Sequence, residues 1–276
     1  MYEILAKEVL APTIKRLKVK APLIAAKTEP GNFIILRVDE QGERIPLTVA
    51  DYERENGIIT IIFQEVGYST KLLGKMDKGD FIQDIVGPLG HHIKLDGYQK
   101  VVLLGGGSGT ALLYPKVRGF SGTEAEVISI TGARTKNLII LEDELEQYSD
   151  RLFIATDDGS YGHHGFVTDI LKDLLEKEGD IDLVVAIGPV PMMKVVADLT
   201  KKFDVETIVS LNTIMVDGTG MCGACRVTVG GETKFTCIDG PSFDGHQVDF
   251  DELMNRLNFY RDEENLVYAN VVEEEK

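Results

Sequence analysis

Five apolar runs recur along the middle of this chain, each followed by turn residues, with helical segments between them. No other feature narrows the choice of folds as much. The runs are VVLLGGG from Val101, EVISITGA from Glu126, LFIATDDG from Leu152, DLVVAIGP from Asp182 and ETIVSLN from Glu206. Between them lie TALLYPKVRGF, EDELEQYS, GFVTDILKDLLEKEG and PMMKVVADLTKKF. An unbroken branched-apolar run suits a strand covered on both faces, and the intervening helices supply the cover. The alternation predicts a parallel sheet between two helical layers. Ligands of such sheets bind beyond the carboxyl ends of the strands.

The N-terminal part reads differently. EPGNFIILRV, GIITIIFQEVG and GDFIQDIVGPLG are short, rich in Ile, Val and Phe, and punctuated by Gly and Pro. They predict a small antiparallel barrel. After Asn212 the alternation stops. A turn-rich segment with three cysteines follows, then VDFDELMNRLNFY with helical spacing, then an acidic EEEK tail. The expected class is β plus α/β. The expected divisions are a barrel over 1–97, an α/β domain over 98–211, and a cysteine segment with C-terminal helix and tail over 212–276.

The formal charge is -16, from 45 acidic and 29 basic residues. No excess of Lys and Arg exists to neutralise phosphates, which argues against nucleic acid as a partner. No apolar stretch reaches the roughly 18 residues of a membrane span. The start, MYEILAKEVLAPTIKRL, lacks the apolar core of a secretory signal. Three cysteines confined to one segment are no disulfide framework, and they suit a reducing cytoplasm.

GGGSGT, residues 105–110, follows a strand and opens a helix. Glycines there let backbone N–H groups approach a pyrophosphate at a helix N-terminus. Thr110 stands where the third glycine of a dinucleotide fingerprint would be, and a plain tight turn also accounts for the composition. The acid expected after the second strand is missing, and TGART supplies Arg134 instead. That residue suits a 2′-phosphate or a solvated surface equally. DDGSYG and GPVPMM close two further strands on the same predicted edge. Met192 and Met193 fit helix packing as well as a nicotinamide pocket. In the barrel, ERIPLT places Arg44 beside a Pro-fixed strand, and an Arg fork matches a pyrophosphate. VGYST offers glycine and hydroxyls at a strand-to-helix junction.

Taken together, these motifs resemble the ferredoxin-NADP reductase superfamily, in which a barrel carries flavin and an α/β domain carries the nicotinamide nucleotide. The resemblance implies that Arg44, Pro46, Leu47, Thr48, Gly67, Ser69 and Thr70 hold FAD. It implies that Gly106, Gly107, Ser108, Gly109, Thr110, Gly188 and Met192 line an NAD(H) site.

The cysteines, Cys222, Cys225 and Cys237, are spaced C-x2-C-x11-C. His246 would complete a Cys3His zinc site. Asp217 would give D-x4-C-x2-C-x11-C, although Asp-Gly is also a common turn pair. The second pattern resembles the cluster segment of dihydroorotate dehydrogenase electron-transfer subunits, with Asp217 in the place of the first cysteine. DGTGMCGACRVTV and CIDGPSFDGHQVDFDEL narrow the likeness to small subunits of the NADH-dependent reduced ferredoxin:NADP oxidoreductase, the electron-bifurcating transhydrogenase. That likeness implies a [2Fe–2S] cluster on Asp217, Cys222, Cys225 and Cys237. It also implies a larger flavoprotein partner carrying [4Fe–4S] clusters, with ferredoxin reached through it. On this reading no catalytic acid, base or nucleophile is needed, and His91, His92, His163 and His164 fall in loops. Two alternatives stand beside it: a dihydroorotate dehydrogenase electron-transfer subunit, and a zinc-stabilised nucleotide-binding module.

Overall fold

The structure, a computed structural model, describes residues 1–264 and Leu266, and the EEEK tail lies outside the described residues. Seven strands build the first unit: β1 (Tyr2–Ala11), β2 (Ile14–Lys20), β3 (Phe33–Arg37), β4 (Arg44–Glu53), β5 (Ile58–Gln64), β6 (Phe81–Ile82) and β7 (Asp84–Leu89). Helices α1 (Pro22–Ala25) and α2 (Tyr68–Lys75) connect them. The strands pair in the order β6-β1-β2-β5-β4-β3-β7, antiparallel throughout. The two strands at the ends of that order are separated in the chain only by Gln83, so the sheet curls into a nearly closed barrel. Ile4, Leu17, Ile34, Leu36, Ile59 and Ile61 fill its interior.

The second unit comprises β8 (Lys100–Gly106), α3 (Gly109–Phe120), β9 (Glu126–Ala133), α4 (Glu142–Tyr148), β10 (Arg151–Thr156), β11 (His163–His164), α5 (Val167–Lys177), β12 (Leu183–Ile187), α6 (Val190–Thr200) and β13 (Glu206–Ser210). All five apolar runs are strands. The order β11-β10-β9-β8-β12-β13 is parallel at every pairing. Helix α5 buries Val167, Ile170, Leu171, Leu174 and Leu175, a single apolar stripe, and with α6 it covers one face. Leu113, Val117 and Phe120 of α3 and Leu145 of α4 cover the other. The chain builds outward from β8 in one direction and returns through β12 in the other, which puts the crevice at the carboxyl ends of β8 and β12.

Two details differ from the sequence reading. His163 and His164 are not in a loop: they form the edge strand β11, where Gly162 at φ +65° turns the chain back beside β10. The parallel sheet also gains an antiparallel edge. Beyond Asn212 come β14 (Arg226–Val229), β15 (Glu232–Phe235), α7 (Thr236–Asp239), β16 (Ser242–Asp244) and α8 (Phe250–Leu257). Strand β16 pairs with β13, while β14 and β15 form a separate hairpin. Asp249 caps α8 by accepting the Glu252 N–H at 2.9 Å, and Phe250 and Leu253 pack with α6.

The barrel and the α/β unit meet along α3. Arg118 pairs with Asp51, and Arg16 of β2 pairs with Glu144 of α4 at 2.6 Å. Between these ties Lys116 is only 1 % exposed, and a Cβ built on Gly31 would lie 3.6 Å from its Nζ. Burial alone pushes the Lys116 ammonium down to about 8. No helix among the described residues is long and apolar enough to cross a membrane.

Candidate functional site

At the crevice, β8 runs into Gly106, Gly107 and Ser108 before α3 begins. Gly109 packs against the end of β12: a Cβ there would lie 2.8 Å from Gly188 Cα. A Cβ on Gly106 would meet Met192 Sδ at 2.6 Å, and one on Gly188 would meet Met192 Cε at 2.8 Å. Gly106, Gly109, Gly188 and Met192 are thus brought together; at Gly109 the close contact is with backbone and only glycine fits, while at Gly106 and Gly188 a side chain would displace the end of Met192. Gly107, at φ +58°, faces open space. Thr110 faces the other way. Its hydroxyl lies 2.7 Å from that of Thr131, buried under the helix. Arg134 is exposed just beyond β9, where the Asp157 N–H donates to the Ala133 carbonyl.

On the barrel, Arg44 begins β4 and is exposed, with no side-chain partner among the described residues. Nearby, the Ser69 hydroxyl lies 3.4 Å from Glu43 Oε2, which ties the start of β4 to the start of α2. Gly67 precedes α2 with empty space above its Cα. Thr70 Oγ1 accepts the Val66 and Gly67 N–H groups, both at 3.0 Å, and so caps the helix. Pro46, Leu47 and Thr48 follow Arg44 along β4.

The four side chains of the cysteine segment fall into two pairs. Cys222 donates to Asp217 from its N–H (3.0 Å to Oδ2) and from its thiol (3.4 Å to Oδ1). Cys225 Sγ and Cys237 Sγ lie 3.2 Å apart, both buried. Asp217 also accepts the Thr219 N–H at 3.0 Å, the bond of an Asx turn. That bond, helped by those from Cys222, holds its carboxyl below the usual range against an opposing desolvation second only to the Thr219 bond. Burial, followed by the Cys225 thiol, pushes Cys237 up to about 12, while the Gly220 N–H works the other way. The segment rests on the barrel. Met215, Cys225 and Cys237 pack on Phe33 and Ile35, and the His91 N–H donates to the Gly240 carbonyl at 2.7 Å.

Two pairs fit a two-iron cluster, in which each iron takes two protein ligands. Among the described residues no three of these side chain types surround a single metal ion, so a tetrahedral zinc site is not matched. His246 is engaged elsewhere, with Nε2 3.0 Å from Thr200 Oγ1. The Cys3His set is not assembled. A further observation suits an inorganic group: Thr236, next to Cys237, has a buried Oγ1 without a partner. A protonated thiol pair is also what a bound cation would replace. A cavity of about 440 Å³ opens elsewhere, between α6 and the start of α8, and of the residues discussed as ligands it holds only His246. The reading of the sequence missed Ile35 and Phe33. Their signal is FIILR, apolar at four successive positions, which marks a strand covered on both faces.

Comparison with known proteins places this segment in a recognised family. Residues 212–249 match the iron–sulfur cluster binding domain of dihydroorotate dehydrogenase B. A dihydroorotate dehydrogenase B (NAD(+)) electron transfer subunit homolog of Thermotoga maritima is 45% identical over 97% of this chain and 94% of its own length. The dihydroorotate dehydrogenase B electron transfer subunit of Geobacillus thermodenitrificans is 34% identical over 89% of this chain and 96% of its own. A solved structure of the NADH-dependent reduced ferredoxin-NADP oxidoreductase, concerned with flavin-based electron bifurcation, superposes with TM-score 0.93. It is 43% identical and covers 99% of this chain and 98% of that one.

Proposed function

The chain belongs to the family of dihydroorotate dehydrogenase B electron-transfer subunits and their homologues, and from that premise we propose that it is the electron-transfer flavoprotein subunit of an NADH-dependent reduced ferredoxin:NADP oxidoreductase. The observation that carries this reading is the Asp217–Cys222 and Cys225–Cys237 set docked on the barrel. An aspartate in the first ligand position also favours it over a dihydroorotate dehydrogenase subunit.

Arg44 takes the FAD pyrophosphate by paired charge-assisted bonds, together with the backbone N–H groups of Ser69 and Thr70, while Gly67, its own N–H held by Thr70 Oγ1, leaves the approach open. Pro46 and Thr48 would lie along the flavin, and Leu47 would reach it through its backbone, its side chain packing on the barrel core. Gly106, Gly107, Ser108, Gly109, Thr110 and Gly188 shape the NAD(H) crevice, and Met192 closes it with a polarizable thioether. Asp217, Cys222, Cys225 and Cys237 would hold the cluster, Asp217 beside Cys222 and Cys225 beside Cys237, with the Gly220 N–H directed at the Cys237 sulfur. When bound, the flavin exchanges the two-electron hydride of NADH for the single-electron chemistry of a [2Fe–2S] cluster. The chain's own task is to align and to shield, and no side chain need act as acid, base or nucleophile.

An electron-transfer subunit works within a larger assembly. Its partner here is a larger flavoprotein subunit with [4Fe–4S] clusters, where ferredoxin and NADP(H) react, in the cytoplasm. The test is anaerobic co-purification from the native cell, with flavin, iron and acid-labile sulfide measured on the complex. Flavin and sulfide in the preparation, with bleaching by NADH, support the assignment. A colourless chain containing zinc would end it.

A further inference from the structure

Strand β3 stands between the flavin-bearing strand and the cysteine segment. In the β3–β4 register Phe33 lies opposite Thr48 and Ile35 opposite Pro46. Opposed residues of an antiparallel pair project to the same face, with Cα atoms about 4.5–5.5 Å apart. Phe33, Ile35, Pro46 and Thr48 therefore share the face turned away from the barrel interior, which Ile34, Leu36 and Leu47 enter. The cysteine segment lies on that same face. It comes close at Gly218, where φ is +75° and a Cβ would lie 2.8 Å from both Ile35 Cγ1 and Leu89 Cδ1. Asp217 is the neighbouring residue, so this contact fastens one end of the ligand set directly onto β3.

We propose that Ile35 and Gly218 are positioning residues whose contact sets the gap between the flavin on β4 and the cluster held by the 217–237 segment. The inference rests on the functional reading above. NADH gives the flavin two electrons and a proton and leaves as NAD+; the oxidised cluster then takes one electron and the flavin keeps the other. The crossing spans a single strand, and Ile35 is the side chain that fills it on the cluster side. Shortening Ile35 leaves the loop unsupported just where Gly218 rests. Widening Gly218 lifts the loop away from β3. Neither change touches the crevice at β8 and β12.

The experiment is anaerobic stopped-flow reduction of the flavin- and cluster-loaded protein by NADH, for Ile35→Ala, Ile35→Val and Gly218→Ala. Flavin bleaching should stay within about twofold of wild type, while cluster reduction slows roughly tenfold or more in Ile35→Ala and Gly218→Ala and recovers in Ile35→Val. Iron, labile sulfide and the EPR spectrum of the reduced cluster should match wild type. Amide hydrogen exchange over 215–223 should quicken in Ile35→Ala. An unchanged cluster phase in variants that keep both cofactors overturns the proposal. Loss of iron and sulfide from Ile35→Ala also overturns it, by giving Ile35 a role in assembly instead of spacing. Wild-type protein with neither flavin nor labile sulfide would sink the functional reading itself.

Discussion

Replacing Lys116 by methionine should stabilise the protein, because the native lysine places its ammonium in a site only 1 % exposed. Burial lowers its pKa from 10.5 to about 8. At about 1.4 kcal/mol for each tenfold change in the protonation equilibrium, the charged form costs roughly 3 kcal/mol in the folded state. Below pH 8 the lysine is charged both folded and unfolded, so the whole penalty is present. Between pH 8 and 10.5 the folded protein releases the proton while the unfolded chain keeps it, and stability rises with pH. Methionine keeps the length and the apolar stem, and replacing a buried charge by an apolar side chain is commonly stabilising. The assay is urea unfolding of wild type and Lys116→Met at pH 7 and again near pH 10, with cofactors bound. The variant should be more stable by about 2–3 kcal/mol at pH 7, and the advantage should largely vanish at the higher pH. Titrating groups other than Lys116 are common to both proteins and cancel in the difference. An equal advantage at both pH values, or a variant less stable at pH 7, refutes the reasoning.

Asp217→Cys should keep the cluster and lower its midpoint potential, since thiolate donates more electron density to iron than carboxylate does; a potentiometric titration showing no shift removes Asp217 from the coordination sphere. Gly109→Ala should weaken NADH binding by about tenfold, because the added methyl would press on Gly188 Cα 2.8 Å away and overpacking of this kind costs about 1–3 kcal/mol; flavin content should not change, and an unaltered Kd for NADH would place the nucleotide elsewhere. Arg44→Ala should loosen flavin by roughly ten- to a hundredfold, the worth of charge-assisted bonds of about 1.5–3 kcal/mol; fluorescence of flavin released on dilution measures it, and equal retention would exclude Arg44 from the site.

The parallel sheet could be read from sequence because each of its five runs is apolar without interruption, and only a doubly covered strand tolerates that. GGGSGT was equally legible, since glycines between a strand and a helix allow few geometries. Strand β16 was not, because three residues, Ser242, Phe243 and Asp244, carry no periodicity and gain their place only by pairing with β13. The histidines of β11 gave no strand signal for the same reason. In the cysteine segment the spacing offered two fourth ligands, His246 and Asp217. The family resemblance pointed to Asp217; the spacing alone carried no sign that His246 faces Thr200, a contact across 46 residues. Lys116 was legible in principle. Leu113, Lys116, Val117 and Phe120 follow the i, i+3, i+4, i+7 spacing of one helix face, so the lysine lies on the apolar stripe.

The seat of the cysteines is assembled from stretches far apart in the chain: Phe33 and Ile35, Leu89 to His91, and the turn at Gly240 that leads into β16. These stretches come together only when the barrel and the segment beyond Asn212 have both folded. Until β16 has docked on β13, Cys225 and Cys237 have ligand chemistry but no pocket to occupy. The proposed ligand set is therefore a product of tertiary docking: the spacing of the cysteines alone does not build the seat they occupy.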